Sequence, residues 1–204
     1  MKDQTKGVFC LEAGHWFGKK DRSSVEPMLR LLEGVKGWQI PYEHRTVATK
    51  PELEYWLKHY LSPTYKTHPL LYLAFHGGGA NEWEESGIFL PEDKWVLLSE
   101  LAEMIEGRCA NRVIHLGSCS VMKTDKRRLN TFLKRTGALA VCGYQTDTDW
   151  MLSAAFDMLI LTIVQGRSFR SRNSISKLND QLKATAPGLY RDLGFRLVVQ
   201  PEPD

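Results

Sequence analysis

The chain has 204 residues, enough to bury a full core in one α/β domain spanning residues 1–204 and with little room for a second. Twenty-seven Lys and Arg against 24 Asp and Glu leave a net charge of +3, too small to call for nucleic acid or a membrane surface as partner. The four cysteines, Cys10, Cys109, Cys119 and Cys142, show no CxxC spacing, which excludes a zinc ribbon or a disulfide framework and leaves free thiols of a reducing compartment.

The N-terminal MKDQTKG has no apolar signal region, and no run approaches the roughly 20 apolar residues of a membrane span, so a cytoplasmic protein is expected. The first strand falls at residues 8–11 and closes in Glu12-Ala13-Gly14. The loop His15-Trp16-Phe17-Gly18 then opens at a sheet edge, where His15 competes for a site role with the blander reading of a solvated loop residue. Met28, Leu29, Leu31 and Leu32 recur at helical spacing within 25–35, the first crossover helix, closed by Gly34 and Gly37. Residues 40–47 alternate as a second strand. Thr49 caps a helix that starts at Pro51-Glu52, runs through Leu53, Trp56, Leu57 and Leu61 and stops at Pro63. His44, His59 and His68 are read as surface or satisfied side chains.

Residues 70–75 are apolar throughout, as in a strand covered on both faces, and run into His76 and three glycines, Gly77, Gly78 and Gly79. A hairpin follows over 87–90 and 95–98, joined by Pro91-Glu92-Asp93-Lys94, and then a helix over 100–105 capped by Ser99. The fourth strand, 113–116, carries His115 as a packed core residue and runs into Gly117-Ser118-Cys119-Ser120. Beyond it, residues 123–128 form a basic run, read as a solvated loop ahead of a helix through Leu129, Phe132 and Leu133. A fifth strand, 138–142, leads to the acidic stretch Thr146-Asp147-Thr148-Asp149. The helix over 151–164 is apolar on more than one face and is expected to be heavily buried. A Ser-rich basic segment, a helix over 175–182, a strand over 195–199 and a frayed tail over 200–204 complete the chain. The βα alternation predicts a three-layer α/β/α sandwich with a mostly parallel sheet and right-handed crossovers.

Two parallel strands that end side by side place His76 and Cys119 at one sheet edge, where open α/β sheets put their sites. A thiol of pKa roughly 8.5 needs a neighbouring base to act as a nucleophile at neutral pH, and His76 is placed to supply it. The Gly77 and Cys119 amides are the candidate oxyanion donors. An apolar strand ending in His-Gly, paired with an apolar strand ending in two small residues and Cys, resembles the caspase-like (clan CD) cysteine peptidases, and among them the compact CHAT and separase-type domains. The 43 residues from His76 to Cys119 compare with roughly 50 in caspases, although the local signature QAC[RQG]G is replaced by GSCS. Strand, hairpin, helix and strand between the two motifs is also the order seen in that family.

The resemblance implies a cysteine endopeptidase in which a His76–Cys119 dyad cleaves peptide bonds of a protein or peptide substrate through an acyl-enzyme, with no cofactor or metal. The acidic stretch is similar to one in separases that helps form the pocket for a basic P1 residue, which makes Asp147 and Asp149 candidate substrate-binding residues for Arg or Lys. Either aspartate has a plainer reading as the cap of the helix beginning near Met151. Caspase-like enzymes often carry a processed loop after the nucleophile, so the basic run 123–128 is a candidate for self-cleavage. Control by a regulatory protein partner or by oligomerisation is expected, with a role in signalling or defence, antiviral defence included. A serine esterase would need G-x-S-x-G, where this chain has Gly117-Ser118-Cys119-Ser120-Val121. The remaining alternative is a catalytically inactive caspase-like binding or regulatory module, in which the glycine loop binds a phosphate or a partner and Cys119 is inert.

Overall fold

In the computed structural model, residues 5–14, 16–18, 20–81, 85–92 and 94–201 are described. His15 and the end of the tail, residues 202–204, lie outside them. Six strands form the main sheet: β1 (Val8–Ala13), β2 (Tyr42–Val47), β3 (Leu70–Ala74), β7 (Val113–Leu116), β8 (Ala140–Tyr144) and β9 (Phe195–Val199). Their order is β2-β1-β3-β7-β8-β9, parallel throughout except for the antiparallel β8–β9 pair.

Successive side chains of a strand point to opposite faces, and this alternation sorts the core into two layers. Phe9, Leu11, Leu71, Leu73, Ile114, Leu116 and Val141 pack on one face against α2 (Lys50–Tyr60), α3 (Leu98–Met104) and α4 (Lys126–Thr136). Val8, Cys10, Leu70, Tyr72, Val113, Ala140, Cys142 and Tyr144 pack on the other against α1 (Glu26–Gly34), α5 (Trp150–Ile163) and α6 (Arg172–Thr185). Crossovers of one hand that travel in opposite directions along a sheet land on opposite faces. The move from β1 to β2 therefore leaves α1 on one side, and the return from β2 to β3 leaves α2 on the other. The expected three-layer α/β sandwich is the one observed.

Local capping explains most helix starts. Thr49 accepts from the Glu52 amide while the Glu52 carboxylate accepts from the Thr49 amide at 3.1 Å, a reciprocal box that fixes the start of α2. Several expectations are corrected. The glycine loop after β3 is itself a strand, β4 (His76–Gly78), which joins β5 (Gly87–Leu90) and β6 (Lys94–Leu97) in a second, antiparallel sheet. Helix α3 begins at Leu98, so Ser99 lies inside it and bonds to Glu85, while Glu100 accepts from the Leu97 amide. The basic run is not all loop: Asp125 caps α4 by accepting from the Arg128 amide, and Lys126 to Arg128 form its first turn. Self-cleavage within that turn would require it to unwind. Helix α5 buries one face, with Phe156, Ile160 and Leu161, while Met151 and Leu152 at its start stay exposed. Helix α6 is longer than predicted, and a short α7 (Pro187–Asp192) follows where no helix is expected.

Candidate active site

The sheet order reverses between β1 and β3, and the carboxyl ends of β1, β3, β7 and β8 open on one cleft of about 310 Å³. His76 follows β3, Cys119 follows β7, Trp16 comes from the loop after β1, and Thr148 and Asp149 come from the loop after β8; all five line the cleft. The structure thus brings His76 and Cys119 to one edge, as their strands predict.

The His76 ring is fixed from behind. Its Nε2 lies 2.6 Å from the Trp16 carbonyl oxygen. A carbonyl only accepts, so Nε2 carries the proton and in the neutral ring Nδ1 is left as the acceptor. The Trp16 indole and the Phe17 ring stand edge-on to the imidazole, with centroids at 5.2 and 6.2 Å.

Among the four cysteines Cys119 alone is not buried. Burial pushes the Cys10 thiol well up, and the Cys109 thiol up to about 11, away from thiolate chemistry. The Cys119 Sγ lies 3.4 Å from Thr148 Oγ1 and accepts from the Thr148 amide at 3.5 Å. These bonds run to Thr148, and none joins Sγ to His76 across the cleft. Catalytic hydrogen bonds that are open in a resting site are common and close only when substrate binds.

The turn behind the thiol is held in an uncommon shape. Ser120 has φ of 55°, the left-handed region that non-glycine residues avoid at a cost of about 1–3 kcal/mol. Its amide donates to the Thr146 carbonyl at 2.9 Å and its hydroxyl to Asp147 at 2.8 Å. Asp147 is therefore engaged with the turn after Cys119 and is not among the residues that line the cleft. Asp149 lines it, and it also caps α5 by accepting from the Leu152 amide at 2.9 Å.

Close approach of the two loops needs Gly77. A Cβ there would sit 2.4 Å from Val121 Cγ2 and 2.8 Å from the Cys119 carbonyl oxygen. Gly77→Ala is expected to push β4 away from the Cys119 turn and to destabilise the fold by about 1–3 kcal/mol, the usual cost of overpacking. Urea unfolding of the variant checks this, and an unchanged midpoint would refute it.

Beneath the cleft lies a buried polar cluster. Asp157 of α5, 2% exposed, accepts from Tyr72 Oη at 2.6 Å, from Tyr144 Oη in a short bond, and from His115 Nε2 at 2.6 Å. Burial alone would lower the His115 pKa, but the Asp157 carboxylate outweighs it and raises it to about 10, so the pair is an ion pair at neutral pH. Burial first and Asp157 second push both tyrosines well above their ordinary values. Asp157 and Tyr72 also line the cleft, whereas no Lys or Arg does so among the described residues.

The model of a family of unknown function, DUF6642, matches residues 5–199. The chain belongs to that family. No curated protein matches it by sequence. The crystal structure of the Drosophila initiator caspase Dronc is similar, with a TM-score of 0.51 and 8% identity over 89% of this chain and 74% of that one. At that identity the likeness is one of fold, and the fold of this DUF6642 chain is caspase-like.

Three contributors to the cleft escape sequence reasoning. The Trp16 group that meets His76 is a backbone carbonyl, which leaves no mark in residue type; its signal was the HWFG loop opening at the right edge. Thr148 was visible only as a member of the acidic stretch. Asp157 was the one carboxylate inside an apolar helical run, a signal that a buried partner must exist.

Proposed function

We propose that the protein is a cysteine endopeptidase in which Cys119 is the nucleophile and His76 its acid–base partner. One observation carries the reading: the single accessible thiol shares a cleft with a histidine whose Nε2 is already committed to the Trp16 carbonyl. In this reading Nδ1 takes the Sγ proton, and the thiolate attacks the scissile carbonyl. The Gly77 and Cys119 amides receive the oxyanion, and among the described residues the Cys119 amide makes no other hydrogen bond. The imidazolium then returns the proton to the leaving amine, and water resolves the acyl-enzyme.

For P1 we propose a basic residue, as the resemblance to separases implies. Asp157 is balanced by His115, so among the described residues the carboxylate of the cleft without a cation is Asp149, and no described Lys or Arg lines the cleft to meet a P1 carboxylate. A panel of fluorogenic peptides differing only at P1 tests this. Arg and Lys are expected to lead, and Asp149→Asn, which keeps the helix cap, to cut their advantage over Ala about tenfold, the worth of one charge-assisted contact. A preference for Asp at P1 would overturn the pocket assignment.

A binding or regulatory module that does not cleave is the second reading, favoured by the Sγ hydrogen bonds that run to Thr148. Thiol alkylation separates the two, since an activated thiolate reacts much faster than an inert one.

A further inference from the structure

Glu12 is buried at 1% exposure near the end of β1, and its two oxygens hold four partners. Oε1 accepts from the Trp16 indole at 2.8 Å and from the Val25 amide at 2.7 Å. Oε2 accepts from Ser24 Oγ at 2.7 Å and faces His44 Nε2 at 2.7 Å. Trp16 stands at the beginning of the β1–α1 loop, and Ser24 and Val25 stand at its end. One carboxylate therefore ties both ends of the loop whose Trp16 carbonyl accepts from His76.

We propose that Glu12 is a positioning residue for His76, acting through the Trp16 carbonyl. The inference rests on the reading of His76 as the acid–base group. A buried carboxylate is strongly disfavoured unless donors surround it, and these donors converge only when the loop holds this conformation. Satisfying Glu12 and ordering the loop are thus one equilibrium. An apolar residue would fill the same space without selecting the loop's shape. The consequence falls on the imidazole: with the carbonyl fixed, the Nε2–H tautomer is selected and the imidazolium keeps an acceptor. Without it the ring turns or changes tautomer, and the charged form loses its acceptor. Among the described residues, the other ionisable groups lining the cleft are Cys119 after β7, Asp149 and Asp157 of the α5 segment and Tyr72 of β3, while Asp21 accepts from the Trp16 and Phe17 amides.

Two variants test the role. Glu12→Gln keeps the shape but offers one acceptor oxygen in place of two; Trp16→Phe removes the indole donor and leaves the carbonyl in the chain. His76 is followed by imidazole nitrogen NMR across pH, with kcat and KM measured on the best peptide of the P1 panel. In the wild type, Nε2–H should dominate. In Glu12→Gln the tautomers should mix, and kcat should drop about 10- to 100-fold at unchanged KM, the scale of a small misplacement of a catalytic group. Trp16→Phe should move the same readouts less, and it decides the matter if Glu12→Gln does not fold. A lower melting temperature with the His76 tautomer unchanged would overturn the proposal, because a purely structural carboxylate does that. The NMR readout needs no turnover. A wild-type protein that cleaves nothing yet shows the tautomer response would sink the peptidase reading and leave the positioning role standing.

Discussion

Cys119→Ala is expected to abolish peptide cleavage and to leave the protein folded, because the lost Sγ is a partly exposed group whose bonds, among the described residues, go to Thr148. His76→Ala is expected to lower kcat by about 10²- to 10⁴-fold, the usual contribution of a general acid–base group. Iodoacetamide should label the wild type at Cys119 alone, since Cys10, Cys109 and Cys142 are buried. Mass spectrometry of the labelled protein and kinetics of both variants measure these outcomes. A folded Cys119→Ala variant with full activity would remove the nucleophile assignment. A wild type that labels no faster than a free thiol and cleaves nothing would favour the binding module.

Asp157→Asn should cost about 3–5 kcal/mol of stability, because it leaves the His115 cation without its counterion in the core. The dependence on pH follows from the same pair. Folding raises the His115 pKa from 6.5 to about 10, so the folded protein holds this proton more tightly than the unfolded chain does. The stabilisation is complete below pH 6.5 and is lost as pH rises through about 10. Urea unfolding of the wild type should therefore show falling stability across that window, and the variant should show a much flatter profile. Equal stability of the two proteins at pH 6 would show that the ion pair is not what supports the floor of the cleft.

The strands that lead to His76 and Cys119 are legible because each is a short, mostly apolar run that ends in small residues. A parallel strand covered by helices on both sides reads as a near-continuous apolar run. Helix starts are legible where a side chain announces them, as Thr49 and Glu52 do, and less so where Asp125 draws part of a basic run into α4. The hairpin 87–90 and 94–97 is visible from its own residues. Its third strand is not, since three successive residues His76, Gly77 and Gly78 have no strand propensity and gain their ladder only by pairing with β5.

The acidic stretch shows where local reading stops. Sequence places Asp147 and Asp149 two residues apart beside the site, with a cap and a pocket role open to either. The fold gives Asp147 to Ser120 and leaves Asp149 both capping α5 and lining the cleft, because the Ser120 turn and the α5 start reach the same place from distant parts of the chain. Glu12, Asp157 and the Trp16 carbonyl belong to the same class. By itself the sequence determined the layered α/β architecture and the sheet edge at which His76 and Cys119 meet, both consequences of apolar periodicity and of residue type. Only the tertiary structure decided which carboxylate meets which donor, because a buried polar group is tolerated only where partners from other elements converge on it, and that convergence has no period along the chain.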